Sequence, residues 1–310
     1  MITFYKRTDN GIATLPKQVA GCWIRCVDPT NEEMEQLTKL GIPLDFITYS
    51  LDQDERPRIE REDDGTRLII LRIPIEFEPN ADLPFDTIPM GIISTDNYIV
   101  TVCKFDTDLL DDFINGKSRN FSTGKRNRML LLILLRTASR YLDYLRQIDK
   151  NVDLLEDQLT LSMRNKELLE LLKYQKSLVY FTTALKANQL ILEHLNKTHT
   201  FRAFEEDEDL LDDVITENQQ AIEMTAISNG ILSSMMDAFA SIISNNLNVV
   251  MKFLASITIV LSIPTIVTSF YGMNVNLPFA AHPLAYLIVI GIFVAIAMGV
   301  IYLFIRRDWF

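Results

Sequence analysis

The sequence has little of what most enzymes and disulfide-built domains depend on. Of its 310 residues, three are Cys, three are His and two are Trp. Three cysteines (Cys22, Cys26, Cys103) are too few for a disulfide framework. Cys22 and Cys26 sit in the apolar run VAGCWIRCV, which reads as a strand, so ordinary buried thiols are expected there rather than a metal pair. His194, His199 and His282 are too scattered for a metal triad, and the first two, near a helix end, read as part of a solvated face. Phosphate-binding loops, nucleophile elbows, HExxH and CxxC pairs are all absent. An enzymatic function therefore has no support, and no organic cofactor or nucleic-acid partner is expected. The opening MITFYKRTDN lacks an apolar core, so no signal peptide is expected.

Positive charge is scarce too: 41 acids against 30 Lys and Arg give a net charge of −11. The distribution is uneven. Residues 253–305, 53 in all, contain no Asp, Glu, Lys or Arg, while the first 252 hold 40 acids and 28 bases. This pattern excludes a simple soluble enzyme and also a carrier with many spans. What remains is a large acidic part followed by a membrane hairpin.

A bilayer core about 30 Å thick needs roughly 20 apolar residues of helix. Residues 253–271 and 284–305 each supply them, joined by a short turn at 272–283. Lys252, Arg306 and Arg307 flank the outer ends of the pair, and the turn has neither Lys nor Arg. By the positive-inside rule both termini and the acidic part are cytoplasmic and the turn faces outside. A multi-pass protein of the cytoplasmic membrane is expected.

Up to about residue 120 short β-rich runs alternate with short helices. Residues 21–27, 57–61, 67–77, 87–94 and 98–104 are predicted strands. Asp63-Asp64-Gly65 and Thr95-Asp96-Asn97 supply turns between them. Thr30, followed by acids, starts one helix, and Pro43 at a first helical position starts another. This is an α/β domain. From Lys125 onward the pattern is helical. Leu130, Leu134, Thr137, Tyr141, Leu145, Ile148, Val152, Leu155 and Leu159 step by three or four along one face. Asn165 can cap a second helix running to about His199, antiparallel to the first. A third carries Met224, Ile227, Ile231, Met235, Ala238 and Ile242 at the same spacing, and no breaker separates it from the first span. Residues 207–270 as one helix would measure on the order of 95 Å, a stalk that becomes a span. The domains expected are 1–120 (α/β), 121–206 (helical hairpin), 207–252 (stalk), 253–271 (first span), 272–283 (external loop), 284–305 (second span) and 306–310 (tail).

In the first span Thr258, Ser262, Thr265 and Ser269 fall on one helical face. Inward, that face carries Leu254 or Ala255, then Met251 and Asn248; outward, it leads to Asn274. Hydroxyls that merely bond back to their own helix are one reading. Four in register favour a water-lined path. Two spans cannot enclose a pore, so a ring of chains is required. Pro264 frees the carbonyl of Val260, which either a water-filled lumen or a simple kink would explain. Gly291, Ala295 and Gly299 in the second span form a small-residue packing stripe.

Tyr271-Gly272-Met273-Asn274, ending the first of two C-terminal spans, resembles the signature of the CorA-type magnesium transporters. The stretch from Phe239 to Lys252, with its Ser-Asn, Asn and Met-Lys elements, is similar to the family's junction of stalk and span. Asp52-Gln53-Asp54-Glu55-Arg56-Pro57-Arg58-Ile59-Glu60 is similar to its acidic-Arg-Pro element, and Trp23-Ile24 with Pro29-Thr30 fit its first strand and helix. The resemblance covers nearly the whole chain, most strongly 235–275. It implies a funnel-shaped homopentamer with first spans lining a pore, and Gly272, Met273 and Asn274 as the outer selectivity ring. It further implies Asn248 as an inner polar ring and Met251 and Leu254 as a constriction that can dewet. Gating by intracellular Mg²⁺ bound between protomers would place a regulatory metal at Asp213, with Glu76 or Glu78 of the neighbouring protomer. Asp237 also matches a family acid and would form a further internal ring or only a stalk hydrogen bond. The five acids at 205–209 read as a solvated turn. Two departures stand out: the turn 275–283 has no acid, and Pro264 lies ten residues before Asn274, one closer than in some members. Channel-like transport of hydrated Mg²⁺, with Co²⁺ or Ni²⁺ as further ions, is the expected function. A ZntB-like proton-coupled Zn²⁺ transporter is the alternative within the fold, and a membrane-anchored scaffold the alternative outside it.

Overall fold

The computed structural model describes residues 1–8, 11–78, 81–116, 121–162, 165–198, 201, 204–274, 283–307 and 309. They form two compact units, Met1–Ser234 and Met235–Phe310. The first is built on a seven-stranded sheet of β1 (Ile2–Thr8), β2 (Gly11–Leu15), β3 (Trp23–Val27), β4 (Arg58–Arg61), β5 (Arg67–Glu76), β6 (Phe85–Ser94) and β7 (Ile99–Cys103). Its order is β2-β1-β3-β7-β6-β5-β4, and only β3 and β7 pair in parallel. The outer pair β1–β2 was not among the predicted strands, because Lys6 and Arg7 interrupt the apolar run of β1.

Helices α1 (Asn31–Lys39) and α2 (Leu44–Leu51) cover one face of the sheet; α3 (Asp111–Ile114) follows β7, and α4 (Arg126–Ser162) and α5 (Asn165–Lys197) cover the other. Both faces are therefore buried, and the central strands carry apolar residues on both faces rather than alternating with polar ones, as in Leu68, Ile69, Ile70 and Leu71 and in Ile99 and Val100. Leu68 and Ile70 pack with Phe46 and Ile47 of α2, while Ile69, Leu71 and Ile73 pack with Met129, Leu130 and Ile133 of α4. The capping box expected at Thr30 is formed: its hydroxyl accepts from the Glu33 N–H, and the Glu33 carboxylate accepts from the Thr30 N–H. Pro43 proves to be the cap of α2 rather than its first residue. Gly65, at φ 90°, makes the turn between β4 and β5. The apolar stripe read on α4 from Leu130 to Leu159 is buried except for half-buried Leu155.

A polar hub fixes α4 and α5 to the sheet. β4 ends where Arg58 pairs with Ile70, so two residues on, the Arg72 backbone has β6 on one side and no strand on the other. Asn188 of α5 supplies the missing partner. Its Oδ1 accepts from the Arg72 N–H at 3.0 Å and its Nδ2 donates to the Arg72 carbonyl at 2.8 Å. The buried Tyr141 hydroxyl donates to the same carbonyl at 3.0 Å. The Arg72 guanidinium donates to the Thr87 hydroxyl and to the carbonyls of Gln53 and Glu55, which holds the acidic-Arg-Pro segment against the sheet. Within that segment Arg58 bridges Glu55 and Glu60 and lies 4.6 Å over the Tyr49 ring.

Helix α6 (Glu205–Tyr271) is continuous through 67 residues, and α7 (Ala285–Arg306) follows. Both are long and apolar enough to cross a membrane. In the first unit α6 buries Val214, Asn218, Ala221, Thr225, Ser228 and Leu232. The expected stripe of Met224, Ile227 and Ile231 lies about a quarter turn away, and Ile227 is 62% exposed. The polar face is buried because its atoms have partners. Asn218 Nδ2 donates to Gln189 Oε1 at 2.8 Å, Thr225 to the Ala221 carbonyl at 2.6 Å, and Ser228 to Asp149 at 2.7 Å.

Candidate ion pathway

The second unit holds the part of α6 that the sequence marked as polar. Starting at Asp237 and stepping alternately by four and three, one face carries Ser241, Ser244, Asn248, Met251, Ala255, Thr258, Ser262, Thr265 and Ser269. Every one of these side chains is exposed. Leu254, 52% exposed, flanks the row beside Ala255. Only one of these positions, Met251, bears a large apolar side chain.

Between Ser256 and Ile263 the opposite face behaves differently, while residues 240–255 are exposed all round. Ser256 and Ile263 are buried, and Ile257 and Val260 share an apolar groove with Ile301 and Ile305 of α7. Positions 258 and 260 are about 200° apart on a helix. α7 thus packs against one side of α6 and leaves the hydroxyl row uncovered. Pro264 lies on the α7 side, and so does the Val260 carbonyl it frees. That carbonyl consequently faces α7 and not the hydroxyl row, so of the explanations for Pro264 the lumen is disfavoured.

The hydroxyls bond back to the helix: Thr258 to the Leu254 carbonyl at 2.8 Å, Ser262 to that of Thr258 at 2.7 Å, and Thr265 to that of Leu261 at 3.5 Å. Back-bonding fixes what the row can do. A hydroxyl has one donor and two acceptor lone pairs. With the proton turned inward, Thr258 and Ser262 present only lone pairs outward. Such a surface accepts from the water protons around a hydrated cation.

The helix stops at Tyr271, whose ring stands 5.8 Å from that of Phe270. The Gly272 N–H still donates to the Thr268 carbonyl at 2.9 Å, and a β-carbon on Gly272 would lie 3.3 Å from that oxygen. Glycine thus allows the chain to leave the helix tightly at this point. Met273 and Asn274 are exposed beyond it, while residues 275–282 of the expected outer loop lie outside the described residues.

The acids expected at a regulatory site stand on separate elements, and each is exposed. Asp213 is exposed on α6, five residues before Asn218, which bonds Leu185 and Gln189 of α5. Glu76 is exposed at the end of β5, where its charge acts on Tyr144 and Tyr174. Glu78, two residues on, is also exposed. Among the described residues no group of three or more His, Cys, Asp and Glu is placed to hold a metal.

The acidic segment 205–209 is more than a solvated turn. Glu206 accepts from Arg128 at 2.6 Å, which holds its carboxyl below the usual range, and Asp207 is buried with its Oδ1 3.7 Å from the same arginine. The signal was present in the basic start of α4, where Lys125, Arg126 and Arg128 face those acids. The three thiols are buried and free; burial pushes Cys26 up to about 12 and Cys103 up to about 11.

A family model described as CorA-like Mg²⁺ transporter protein matches residues 19–307. The chain is 31% identical over 293 residues to the cobalt/magnesium transport protein CorA of Methanocaldococcus jannaschii, covering 93% of this chain and 90% of that one. The complete structure of the CorA magnesium transporter from the same organism matches with a TM-score of 0.86 at 28% identity, over 100% of this chain and 99% of that chain. The cytoplasmic domain of ZntB from Vibrio parahaemolyticus matches with a TM-score of 0.61 at 13% identity, over 78% of this chain and 98% of that one, which is a likeness of fold alone.

Proposed function

The chain belongs to the CorA-like Mg²⁺ transporter family, and from that membership we propose that it passes hydrated Mg²⁺ through a ring of five copies in the cytoplasmic membrane. The observation that carries this is the uncovered polar row on α6, set opposite the face that α7 occupies. A row repeating every seven residues coils left-handed when copies lie side by side, so copies of α6 can keep it on a common axis. α7 then forms the outer, lipid-facing ring, and both termini are cytoplasmic.

Mg²⁺ is small and gives up its water reluctantly. A pathway that holds it through its water shell needs acceptors at the radius of the hydrated ion, not charged ligands at the bare-ion distance. Outward lone pairs of Thr258, Ser262, Thr265 and Ser269 and the Asn248 amide fit that need. Gly272, Met273 and Asn274 form the entry ring, where the Asn274 amide oxygen selects the strongly hydrated divalent ion. Met251 and Leu254 narrow the inner end with apolar surface. Co²⁺, of similar hydration, passes by the same route, in keeping with the name of the cobalt/magnesium relative.

Closure rests on intracellular Mg²⁺ between protomers, held by Asp213 and by Glu76 or Glu78 of the neighbouring protomer, with Asp237 as an inner ring of charge. Loss of the metal leaves like charges facing one another, and their repulsion loosens the ring. Asp213, Glu76 and Glu78 are all exposed, so each is free to meet a second chain.

Thiol accessibility tests the pathway. Cysteines introduced as Thr258→Cys and Ser262→Cys should react with a small charged reagent from water, whereas Ile257→Cys and Val260→Cys should not. Equal reaction on both faces would remove the row from the pathway. For closure, Asp213→Ala should weaken the protection that Mg²⁺ gives the cytoplasmic part against protease; unchanged protection would count against the regulatory role.

A further inference from the structure

The groove between α6 and α7 is lined by Ile257, Val260, Ile301 and Ile305 and holds about 440 Å³, with no polar side chain in its lining. Both helices are long and apolar enough to cross a membrane, so this space lies at the depth of lipid chains.

The cations of this part of the chain all stand at one end of it. From Ala238 to Phe310 the sequence has three Lys and Arg, namely Lys252, Arg306 and Arg307, against one acid, Asp308. Lys252 precedes the buried Ser256 by one turn, on the face that α7 takes, and the Ser256 hydroxyl donates to its carbonyl at 2.8 Å. Five residues separate Lys252 from Ile257, about 7.5 Å along the helix. On α7, Arg306 follows Ile305 of the groove directly. Lys252, Arg306 and Arg307 are exposed and form no ion pair among the described residues.

Membrane orientation alone would account for three cations. The second observation is independent of charge, and it concerns how α7 ends. The Arg307 N–H donates to the Leu303 carbonyl at 3.1 Å and the Trp309 N–H to the Phe304 carbonyl at 3.0 Å, so the chain folds back onto the helix. The Trp309 ring stacks on Phe304, with centroids 5.2 Å apart and planes 7° apart. An indole has an apolar body and a polar N–H, and it favours the boundary between lipid chains and headgroups. Cations, indole and apolar groove thus follow one another as headgroup, boundary and chain do in a lipid.

We infer that this groove binds an anionic phospholipid of the leaflet that meets Lys252, Arg306 and Arg307. The phosphate lies on these three cations, and an acyl chain lies along Ile257, Val260, Ile301 and Ile305. A soluble phosphate would leave the groove empty, and an apolar helix of a second copy would leave the cations unmatched. A choline headgroup would set its own positive charge against theirs. The inference rests on α6 and α7 crossing the bilayer and not on which ion passes.

The test is native mass spectrometry of the purified full-length protein, given equal amounts of phosphatidylglycerol and phosphatidylcholine before release from detergent. The wild type should keep phosphatidylglycerol roughly tenfold better, as expected where several cations at a membrane surface meet an anionic headgroup. Excess glycerol 3-phosphate, which has the charge and no chains, should not displace it. The triple variant Lys252→Gln, Arg306→Gln, Arg307→Gln should lose the preference. Ile301→Trp fills the groove and should cut retention of both lipids, while the same spectra show the oligomer intact. Equal retention of the two lipids by the wild type, displacement by glycerol 3-phosphate, a preference surviving in the triple variant, or unchanged retention in Ile301→Trp would each overturn the assignment. So would loss of the oligomer in Ile301→Trp, which would give the groove to a neighbouring copy. A wild-type oligomer of other than five copies would count against the proposed ring and leave the lipid ratio readable.

Discussion

Replacing Asn188 with alanine should cost far more stability than its single side chain suggests. Its amide stands in for the strand that β4 no longer provides, giving the Arg72 N–H its partner at 3.0 Å. Asn188→Ala strands that donor. It also removes the 2.8 Å bond to the Arg72 carbonyl, but that carbonyl keeps the Tyr141 hydroxyl at 3.0 Å. One lost bond is worth about 1 kcal/mol and a stranded donor about 1–3 kcal/mol, so the sum is about 3 kcal/mol. For a unit of this size the melting temperature should fall by roughly 6–12 °C. Tyr141→Phe removes one donor and leaves the carbonyl with Asn188, so it should cost about 1 kcal/mol, or roughly 2–4 °C. The double variant should fall by more than the sum, because only then does the carbonyl lose both partners. Thermal melts of the purified protein, followed by the fluorescence of buried Trp23, read all three. Equal shifts for the two single variants, or strict additivity in the double, would refute the idea of a surrogate strand.

Other parts of the molecule give simpler expectations. Gly91→Ala places a β-carbon 1.7 Å from the Ser50 Oγ, itself fully buried and bonded to the Phe46 carbonyl at 2.6 Å. α2 must move off the sheet, at a cost of about 1–3 kcal/mol, and Ser50→Gly in the same chain should recover much of the lost melting temperature. The three native thiols should stay silent to a thiol reagent at pH 8 until the protein unfolds. Burial raises Cys26 from 9.0 to about 12 and Cys103 to about 11, so both stay protonated through neutral and mildly alkaline pH. Their thiolate population is then lower by roughly a hundredfold to a thousandfold. A fast phase of labelling in the native protein would contradict their placement, and would also spoil the background for the introduced cysteines.

Much of the architecture could be read from local patterns. The capping box at Thr30, the Asp-Asp-Gly turn and the Leu130–Leu159 stripe on α4 depend on neighbours in sequence, and the structure has them where the pattern put them. The 53 uncharged residues pointed for the same reason to two helices long and apolar enough to cross a membrane, and the structure has both. What escaped was set by distant partners. The face that α6 buries is rich in Asn, Thr and Ser, and only the acceptors on α4, α5 and α6 itself make that burial cheap. Apolar spacing pointed instead to Ile227 and Ile231, which are exposed. The parallel pairing of β3 with β7 and the Asn188–Arg72 contact join residues far apart in sequence and leave no periodic mark. On α6 the row of hydroxyls was legible, but not which side α7 would take. Asp213 and Glu76 were named from the resemblance alone, and the structure shows each exposed, on α6 and at the end of β5.

The most direct measurement is Mg²⁺ uptake into liposomes holding the purified protein and an internal Mg²⁺-sensitive dye, driven by an inside-negative potential. The account predicts uptake by the wild type and its loss in Asn274→Ala, with the variant still assembled as the same oligomer. Undiminished uptake in that variant would take the entry ring away from Gly272–Met273–Asn274, and no Mg²⁺ uptake by the wild type would contradict the pathway itself.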